Sequence, residues 1–215
     1  MAISNEMQET SPIFYIIVLI MSVVIHEIAH GYAALHHGDH TAEHQGRLTL
    51  NPIKHLDLYG SIILPLLLIL THAPFLVGWA KPVPYNPENF APAKRRIATI
   101  WVASAGILTN LAIAIFFSMI IRLAVAGILI PANFIPLCGV IVLLNIVLAV
   151  FNLVPIPPLD GSKILFNLGG YKMLRVERFF EKYSLIALLV FVFFLWQFIT
   201  PVIYFIFEIL TGLSI

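Results

Sequence analysis

An apolar run that ends in three ionisable side chains constrains this chain more than any other stretch. The run from about Pro12 to about His36 is long enough to cross a hydrocarbon core of roughly 30 Å as a helix. Near its end, His26 and His30 lie one helical turn apart on the same side, with Glu27 beside them. This H-E-x-x-H spacing is typical of zinc sites in which two imidazoles bind the metal and the glutamate activates water. A bilayer tolerates such side chains only where they are paired, bind a metal or face a cavity, so the run predicts a metal site in a membrane helix.

The composition is typical of a polytopic membrane protein. Of the 215 residues, 60% are hydrophobic and 11% are charged, and the mean hydropathy is +0.96. A formal net charge of +1 gives no indication of a nucleic-acid partner. The single cysteine, Cys138, excludes an internal disulfide and a cysteine-based metal site. The residues before Pro12 include no Lys or Arg, so they lack the basic region of a signal peptide, and the first apolar run is expected to be retained as a span.

Three further apolar stretches predict helices that cross the membrane. They cover residues 94–129, 137–153 and 183–210, and each is long enough to span the hydrocarbon core. A kink is expected at Pro201 in the last stretch, because proline cannot donate the backbone hydrogen bond of a regular helix. Before that stretch, basic side chains at helical spacing over residues 170–182 predict an amphipathic interfacial helix.

Two segments have less regular patterns. Residues 57–77 are apolar enough for another span, and irregular sequence follows them at residues 78–84. The interrupting residues are Pro65, His72 and Pro74. Irregular backbone at membrane depth is tolerated only where protein or water satisfies it, which favours a re-entrant segment over a full crossing. Residues 46–52 alternate polar and apolar side chains and end in a turn pair, which predicts a short β-strand with an open edge.

Charges near the ends of the spans predict the topology. Lys and Arg near span ends prefer the cytoplasm, so the basic clusters at residues 94–96 and 172–182, which two spans separate, should both lie inside. Lys94 stays on that side only if residues 57–77 enter the membrane and return. The sequence therefore predicts an all-α polytopic membrane protein with four full transmembrane helices, a re-entrant or additional hydrophobic segment and a short β-like membrane-associated loop. The H-E-x-x-H motif is expected towards the cytoplasmic face, most simply of the plasma membrane.

The chain is expected to be one membrane-embedded domain over residues 1–215. No internal repeat, low-complexity tract or soluble domain is visible in it. The predicted parts are a core over residues 12–170, a basic amphipathic connector over residues 170–182 and a C-terminal span over residues 183–211.

Asp160 is the best candidate for a further metal ligand. Two histidines leave a catalytic zinc site one protein ligand short. Asp160 lies beside apolar sequence and follows three prolines at which a regular helix cannot continue. Its burial is costly unless it meets a cation, which zinc would supply. The alternative is that Asp160 caps a helix that begins near Gly161, and the two roles are compatible.

Two motifs taken together resemble the site-2 protease family of intramembrane zinc metalloproteases. They are His26-Glu27-x-x-His30 and Asn152-x-x-Pro155-x-x-Pro158-Leu159-Asp160-Gly161. The resemblance also covers Gly78-Trp79-x-Lys81-Pro82 and Ser104-Ala105-Gly106-x-x-x-Asn110, so it extends over residues 22–161. The sequence departs from the pattern at Ile107, where many members have proline. Since no PDZ or CBS domain is visible, the chain resembles the compact form of the family.

The resemblance implies a zinc endopeptidase that hydrolyses peptide bonds within or near transmembrane segments. By their matching positions, His26, His30 and Asp160 would bind one Zn²⁺ per chain. Glu27 would be the general base and acid, and Asn152 would stabilise the scissile carbonyl. The implied partners are the lipid bilayer and a membrane-protein substrate with a transmembrane helix. The identity of the substrate, a need for prior cleavage and the oligomeric state are left open.

The substrate helix must unwind before cleavage, because its peptide bonds are hydrogen-bonded internally. Residues 46–51 or residues 78–84 are therefore expected to pair with unwound substrate as an added strand. Two other functions use the same cluster of residues. One is a membrane metal-ion transporter, against which no inverted repeat is visible. The other is a catalytically silent relative that only binds membrane segments, although all five residues that the chemistry needs are present.

Other polar residues allow two interpretations. Asn110 and Asn145 lie inside predicted spans, where they either form hydrogen bonds between helices or act near the site. Five histidines follow the first span, and we interpret them as loop histidines in a solvated connection without a shared helical register rather than as a second metal site. They are His36, His37, His40, His44 and His55.

Overall fold

The computed structural model describes Met7 and residues 10–63, 66–67, 70–71, 80–131 and 133–214. In this part of the chain the structure is mostly helical and contains no β-sheet. The α-helices are α1 (Pro12–His36), α2 (Thr41–His44), α3 (Arg95–Val125), α4 (Phe134–Leu153), α5 (Asp160–Gly169), α6 (Leu174–Lys182), α7 (Ser184–Val190) and α8 (Trp196–Thr211). Short 3₁₀ turns lie at Pro52–His55, Pro87–Asn89, Pro92–Lys94 and Gly170–Met173, and π-helical turns at Leu58–Ile63 and Phe191–Leu195.

Four helical segments among the described residues are long and apolar enough to cross a membrane. They are Pro12–His36, Pro92–Val125, Phe134–Leu153 and Ser184–Thr211. These segments correspond to the four spans expected from the sequence, so the all-α membrane architecture is confirmed. The chain is an integral membrane protein.

The ends of the helices follow local chemistry. Helix α1 has the ends that the sequence predicts, with Pro12 in its first turn. Helix α4 begins three residues earlier than expected, because Pro136 falls in its first turn, where a missing N–H removes no helical bond. Helix α5 begins at Asp160 itself, and its N-cap is Leu159. The alternative interpretation, in which Asp160 caps this helix, is therefore wrong, and its carboxylate is directed elsewhere.

The C-terminal span has an interruption that the sequence did not predict, and the kink expected at Pro201 stays a prediction. A π-helical turn at Phe191–Leu195 separates α7 from α8, whereas Pro201 lies inside α8. The turn accompanies a cluster of aromatic rings, in which Phe191 packs 6.0 Å from Trp196 and 6.1 Å from Phe151, measured between centroids. Widened turns of this kind interrupt helices without proline. Packing against α4 accounts for this position better than the proline does.

Helix α3 is the centre of the fold and contacts α1, α4, α5 and α8. Its C-terminal half joins α4 and α8 in the main hydrophobic core, which includes Ala114, Ile121, Cys138, Ile146 and Phe207. Its N-terminal end joins a smaller cluster that consists of Ala34, Phe90, Ala98 and Val102. The part of α3 between the two clusters faces the two histidines of α1.

The irregular segments differ in how far the structure describes them. Residues 47–51 form no strand, because Asn51 accepts a hydrogen bond from the Ile53 amide and starts the turn at Pro52–His55. Pairing of this segment with a substrate stays a prediction. Of the expected re-entrant segment, the described part contains the π-helical turn at Leu58–Ile63. Residues 64–65, 68–69 and 72–79, and with them Pro65, His72, Pro74, Gly78 and Trp79, lie outside the described residues.

Candidate metal centre

Helix α1 brings the two histidines of the H-E-x-x-H motif together inside the protein. The side chains of His26 and His30 are buried, and their rings meet edge to face with centroids 4.6 Å apart. Their Nε2 atoms lie 3.0 Å from each other. The spacing of four residues places both nitrogens on the same face of α1, as the sequence predicts.

Asp160 completes this group from the first position of α5. Its Oδ2 lies 3.2 Å from His26 Nε2 and 3.0 Å from His30 Nε2. Ligand atoms at about 2.0–2.1 Å from a tetrahedral zinc ion lie about 3.3 Å from one another. The three buried atoms are therefore spaced as ligands of a single ion, although 134 positions of sequence separate His26 from Asp160.

Gly161 fixes the start of α5 against the end of α4. A Cβ atom at this position would lie 2.0 Å from the Leu153 carbonyl oxygen and 2.6 Å from that of Val154. These are backbone atoms that cannot move aside, so only glycine fits after Asp160. The close approach places Asp160 directly beside the C-terminal end of α4.

The outer nitrogens of both imidazoles have partners on α3. His30 Nδ1 lies 2.6 Å from the Val102 carbonyl oxygen, to which it donates. His26 Nδ1 lies 3.2 Å from the amide nitrogen of Asn110, while the buried amide oxygen of Asn110 has no hydrogen-bond partner among the described residues. Rotating this amide by 180° presents the oxygen to a protonated Nδ1, which can then donate to it. Histidines that bind zinc through Nε2 have this second hydrogen bond, so the orphaned oxygen fits a metal-ligating His26.

Gly106 lets α3 approach the two rings. A Cβ atom at Gly106 would lie 2.5 Å from His26 Cε1 and 2.6 Å from His30 Nε2. The absence of a side chain at this position therefore allows the close approach of α1 to α3. The partner that comes close is the pair of imidazoles, which the sequence did not indicate.

Lys163 pairs with the second oxygen of Asp160. Its Nζ lies 3.2 Å from Asp160 Oδ1 and 5.6 Å from the centroid of the Tyr85 ring. Burial raises the pKa of Asp160, but hydrogen bonds from the two imidazoles and the charge of Lys163 lower it by more. The net effect is a pKa below the ordinary value, so the group is a carboxylate, the form that binds a cation.

The Glu27 carboxylate contacts the backbone of a segment that lies far from α1 in the sequence. The Val83 amide donates to Glu27 Oε2 over 2.8 Å. No pattern in the sequence indicates this contact, because the donor is a backbone amide.

Asn152 and Asn145, the other two polar residues expected on α4, make different contacts. The amide nitrogen of Asn152 donates to the Leu148 carbonyl of its own helix over 2.9 Å. Among the described residues, no hydrogen bond joins its side chain to the other predicted site residues. Asn145 donates to Ser22 Oγ over 3.0 Å, so it links α4 to α1, as one of the two interpretations predicted.

The histidines after α1 do not all lie in a solvated loop. His55 is buried, and its Nε2 donates to the Thr49 carbonyl over 2.9 Å. His40 and His44 share the register of α2, with stacked rings whose centroids are 5.8 Å apart, which corrects the expectation of no common register. With Glu43 they form an exposed second group whose ligand atoms lie within 4.8 Å of one another.

Apolar spanning helices around a buried His–His–Asp group, with Glu27 next to His26, define the class of helical membrane metalloproteins with an H-E-x-x-H centre. Comparison with known proteins identifies the family within this class. Residues 14–128 and 120–197 match the sequence profile described as "Peptidase family M50". The chain belongs to this family, the site-2 protease family, and it is a zinc metalloprotease.

The relatives have names consistent with this family. The "Putative zinc metalloprotease YwhC" of Bacillus subtilis is 40% identical over 195 residues, which cover 87% of this chain and 81% of the relative. The "Putative zinc metalloprotease Rip2" of Mycolicibacterium smegmatis is 32% identical over 66% of this chain and 52% of its own length. The protein of the same name from Mycobacterium tuberculosis is 33% identical over 68% of this chain and 53% of its own length. The chain thus spans about half the length of the mycobacterial relatives. No solved structure matches it.

Proposed function

We propose that this chain is an intramembrane endopeptidase that hydrolyses peptide bonds within or near transmembrane segments of other membrane proteins. The observation that carries the proposal is the convergence of His26 Nε2, His30 Nε2 and Asp160 Oδ2 beside Glu27, within apolar spanning helices. Hydrolysis explains a glutamate between two ligands better than metal transport does, because a transported ion needs no base.

The three buried side chains would hold Zn²⁺, and the orphaned oxygen of Asn110 and the space at Gly106 fit that assignment. When bound, Zn²⁺ supplies a Lewis acid that polarises water and the scissile carbonyl. In the proposed mechanism, Glu27 accepts a proton from the attacking water and returns it to the leaving amine. Since the Val83 amide bonds to Oε2, we assign the proton transfer to Oε1.

Asn152 is proposed to stabilise the developing negative charge of the scissile carbonyl. Its amide now donates to Leu148 O, so this role requires the side chain to exchange that bond for the substrate. The exchange involves one side-chain rotation at the last turn of α4.

The proposed location is the plasma membrane, with the site towards the cytoplasm. The supporting observation is the charge pattern, since basic residues concentrate at residues 94–96 and 172–182. Water would then reach Glu27 from the side of the polar connection that follows α1. We also propose that residues 1–215 act as one membrane-embedded protease domain.

The proposal is tested by replacing Glu27 with Gln, which keeps the shape and removes the base. Purified Glu27→Gln protein should retain zinc at the level of the parent chain. Cells that produce it should accumulate a full-length membrane protein that the parent chain cleaves, as measured by comparing membrane-protein fragments. If both chains are present at equal levels and no fragment differs, the protease proposal is wrong. A metal transporter would instead show zinc flux through the parent chain with no change in fragments.

A further inference from the structure

Arg47, in the polar connection after α1, is buried without an acidic partner. Its side chain is 5% exposed, and no ion pair joins it to any residue that the structure describes. Its Nε is buried and has no hydrogen-bond partner in the part of the chain that the structure describes. Burial of a charged guanidinium costs free energy unless hydrogen bonds offset the loss of water.

Those contacts are with the backbone of one segment, residues 80–84. Arg47 Nη2 donates to the Lys81 carbonyl over 2.8 Å and to the Pro82 carbonyl over 3.2 Å. The Lys81 amide donates to the His55 carbonyl over 2.8 Å. The 80–84 segment is thus fixed at three consecutive backbone groups by the connection that contains Arg47 and His55.

The residue that follows these anchors touches the predicted base. The Val83 amide donates to Glu27 Oε2 over 2.8 Å. Val83 is itself buried, and it lies in the space left by Gly31, one turn after Glu27 on α1. A Cβ atom at Gly31 would lie 2.9 Å from Val83 Cγ1 and 2.4 Å from Leu48 Cδ2. Val83 of the 80–84 segment and Leu48, which follows Arg47, therefore both pack against α1 at Gly31.

The prolines in this segment make the anchors necessary. Pro82 and Pro84 have no N–H, so they can donate no hydrogen bond on either side of Val83. The backbone there can be held only by the Lys81 and Val83 amides and by its carbonyl oxygens. Arg47 holds the two carbonyls that immediately precede the Val83 amide.

We propose that Arg47 is a positioning residue for Glu27. It fixes the backbone of Lys81 and Pro82 so that the Val83 amide binds Glu27 Oε2 and leaves Oε1 directed at the reacting water. This inference rests on the proposed function, because it assigns Arg47 to the geometry of the general base. It requires no contact between Arg47 and the substrate or the metal.

The test compares Arg47→Met and Arg47→Lys with a matched control, Arg122→Met. The Arg122 guanidinium likewise donates to two consecutive backbone carbonyls, those of Ile209 and Leu210. It lies near the C-terminal end of α3. For the protein in detergent, kcat, KM and zinc content are measured with a membrane-segment peptide that the parent chain cleaves. We expect Arg47→Met to lower kcat about tenfold or more, with KM and zinc content near those of the parent chain. Arg47→Lys should recover part of the loss, and Arg122→Met should leave kcat unchanged.

Hydrogen exchange gives a readout that does not depend on activity. In a peptide that covers residues 81–85, only Lys81, Val83 and Tyr85 contribute amides, because the other two residues are prolines. Arg47→Met should raise exchange in this peptide about tenfold, since a hydrogen bond from a charged donor is lost. Glu27→Ala should also raise it, by removing the acceptor of the Val83 amide without touching Arg47.

The outcomes separate the two proposals. If kcat falls in Arg47→Met while exchange over residues 81–85 is unchanged, the positioning role is wrong and the protease proposal stands. If the parent chain cleaves no membrane segment but exchange rises in both variants, the contact chain from Arg47 to Glu27 stands and the proposed function fails. A kcat loss in Arg122→Met as large as that in Arg47→Met would show a general stability effect and overturn the inference. Should Arg47→Met not fold, the same measurements on Arg47→Lys and Glu27→Ala decide it.

Discussion

Gly106 shows how strongly a single residue can limit this metal centre. The imidazoles of His26 and His30 occupy the space in which a side chain at position 106 of α3 would begin. The outer nitrogens of both rings also contact α3, at Asn110 and at the Val102 carbonyl, so a displaced ring would lose one of these contacts. We therefore expect that no residue larger than glycine fits at position 106 without displacing an imidazole.

The first prediction concerns this position. Gly106→Ala should displace at least one imidazole, because the added Cβ would lie 2.5 Å from His26 Cε1. We expect the zinc content of the purified protein to fall below half of that of the parent chain and cleavage to fall about tenfold or more, since misplacement near 1 Å is enough for such losses. Ala112→Val, on the exposed side of α3, is the control and should retain zinc. Full zinc occupancy in Gly106→Ala would contradict this account.

Asp39 is the second residue whose surroundings give a prediction. It accepts hydrogen bonds from the Thr41 amide and hydroxyl, the Asn86 amide and the Asn89 side chain, at 2.5–3.1 Å. Burial raises the pKa of Asp39, but these hydrogen bonds lower it by more, so the pKa in the folded protein is below 3.8. Asp39→Asn should lower the free energy of unfolding by about 1–3 kcal/mol at neutral pH.

The pH dependence of this effect follows from the sign of the shift. A carboxyl with a lowered pKa contributes stability above its unfolded pKa, and this contribution is lost as pH falls through the lowered pKa of the folded state. The difference in melting temperature between the parent chain and Asp39→Asn should therefore be full at pH 7 and shrink below about pH 4. Thermal melts in detergent at several pH values measure it. A difference that grows on acidification would refute the assignment.

Residue chemistry explains which site residues sequence reasoning could find. His26, His30 and Asp160 were predictable because ionisable side chains beside apolar sequence need a partner. Asn110 was recognised as polar within a span, but its bond to His26 depends on which face of α3 meets α1, and a single sequence does not specify that. Val83 acts through its backbone amide, so no side-chain pattern indicated it.

At the scale of elements, helix ends were predictable where local chemistry decides them. Proline in the first turn and the run of prolines before Asp160 placed α1, α4 and α5 to within three residues. The π-helical turn at Phe191–Leu195 was not predictable, because it depends on the packing of Phe191 and Trp196 against another helix. Tertiary contacts, not local propensity, set that interruption.

The segment at residues 46–52 gives a prediction at the element scale. Leu50 is 59% exposed, and no hydrogen bond of its backbone amide is found among the described residues. If this segment binds unwound substrate as a strand, Leu50→Pro removes a donor from the edge without disturbing the core. KM for a membrane-segment substrate should rise, while zinc content stays the same. Leu50→Ala keeps the amide and is the matched control. Equal KM values for the two variants would exclude pairing through this amide.

At the scale of the whole molecule, the metal centre joins α1 and α5 at the surface of α3. A ligand that binds only the folded state raises stability in proportion to the logarithm of its concentration over its Kd, about 4 kcal/mol at a thousandfold excess. Treatment with a chelator should therefore lower the melting temperature of the parent chain. His30→Ala, which lacks one of the three candidate ligands, should melt at the same temperature with and without chelator. A chelator effect of equal size in both proteins would place the stabilising metal elsewhere, with the exposed His40, Glu43 and His44 group as the first position to examine.

The separation of the candidate ligands along the chain also affects biosynthesis. His26 and His30 enter the membrane with the first span, whereas Asp160 follows His26 by 134 positions and comes after two more spans. A nascent chain can thus occupy the bilayer for most of its synthesis with an incomplete metal site. Incomplete translation products that end before Asp160 would carry only two of the three candidate ligands, so under the proposed function they would be inactive.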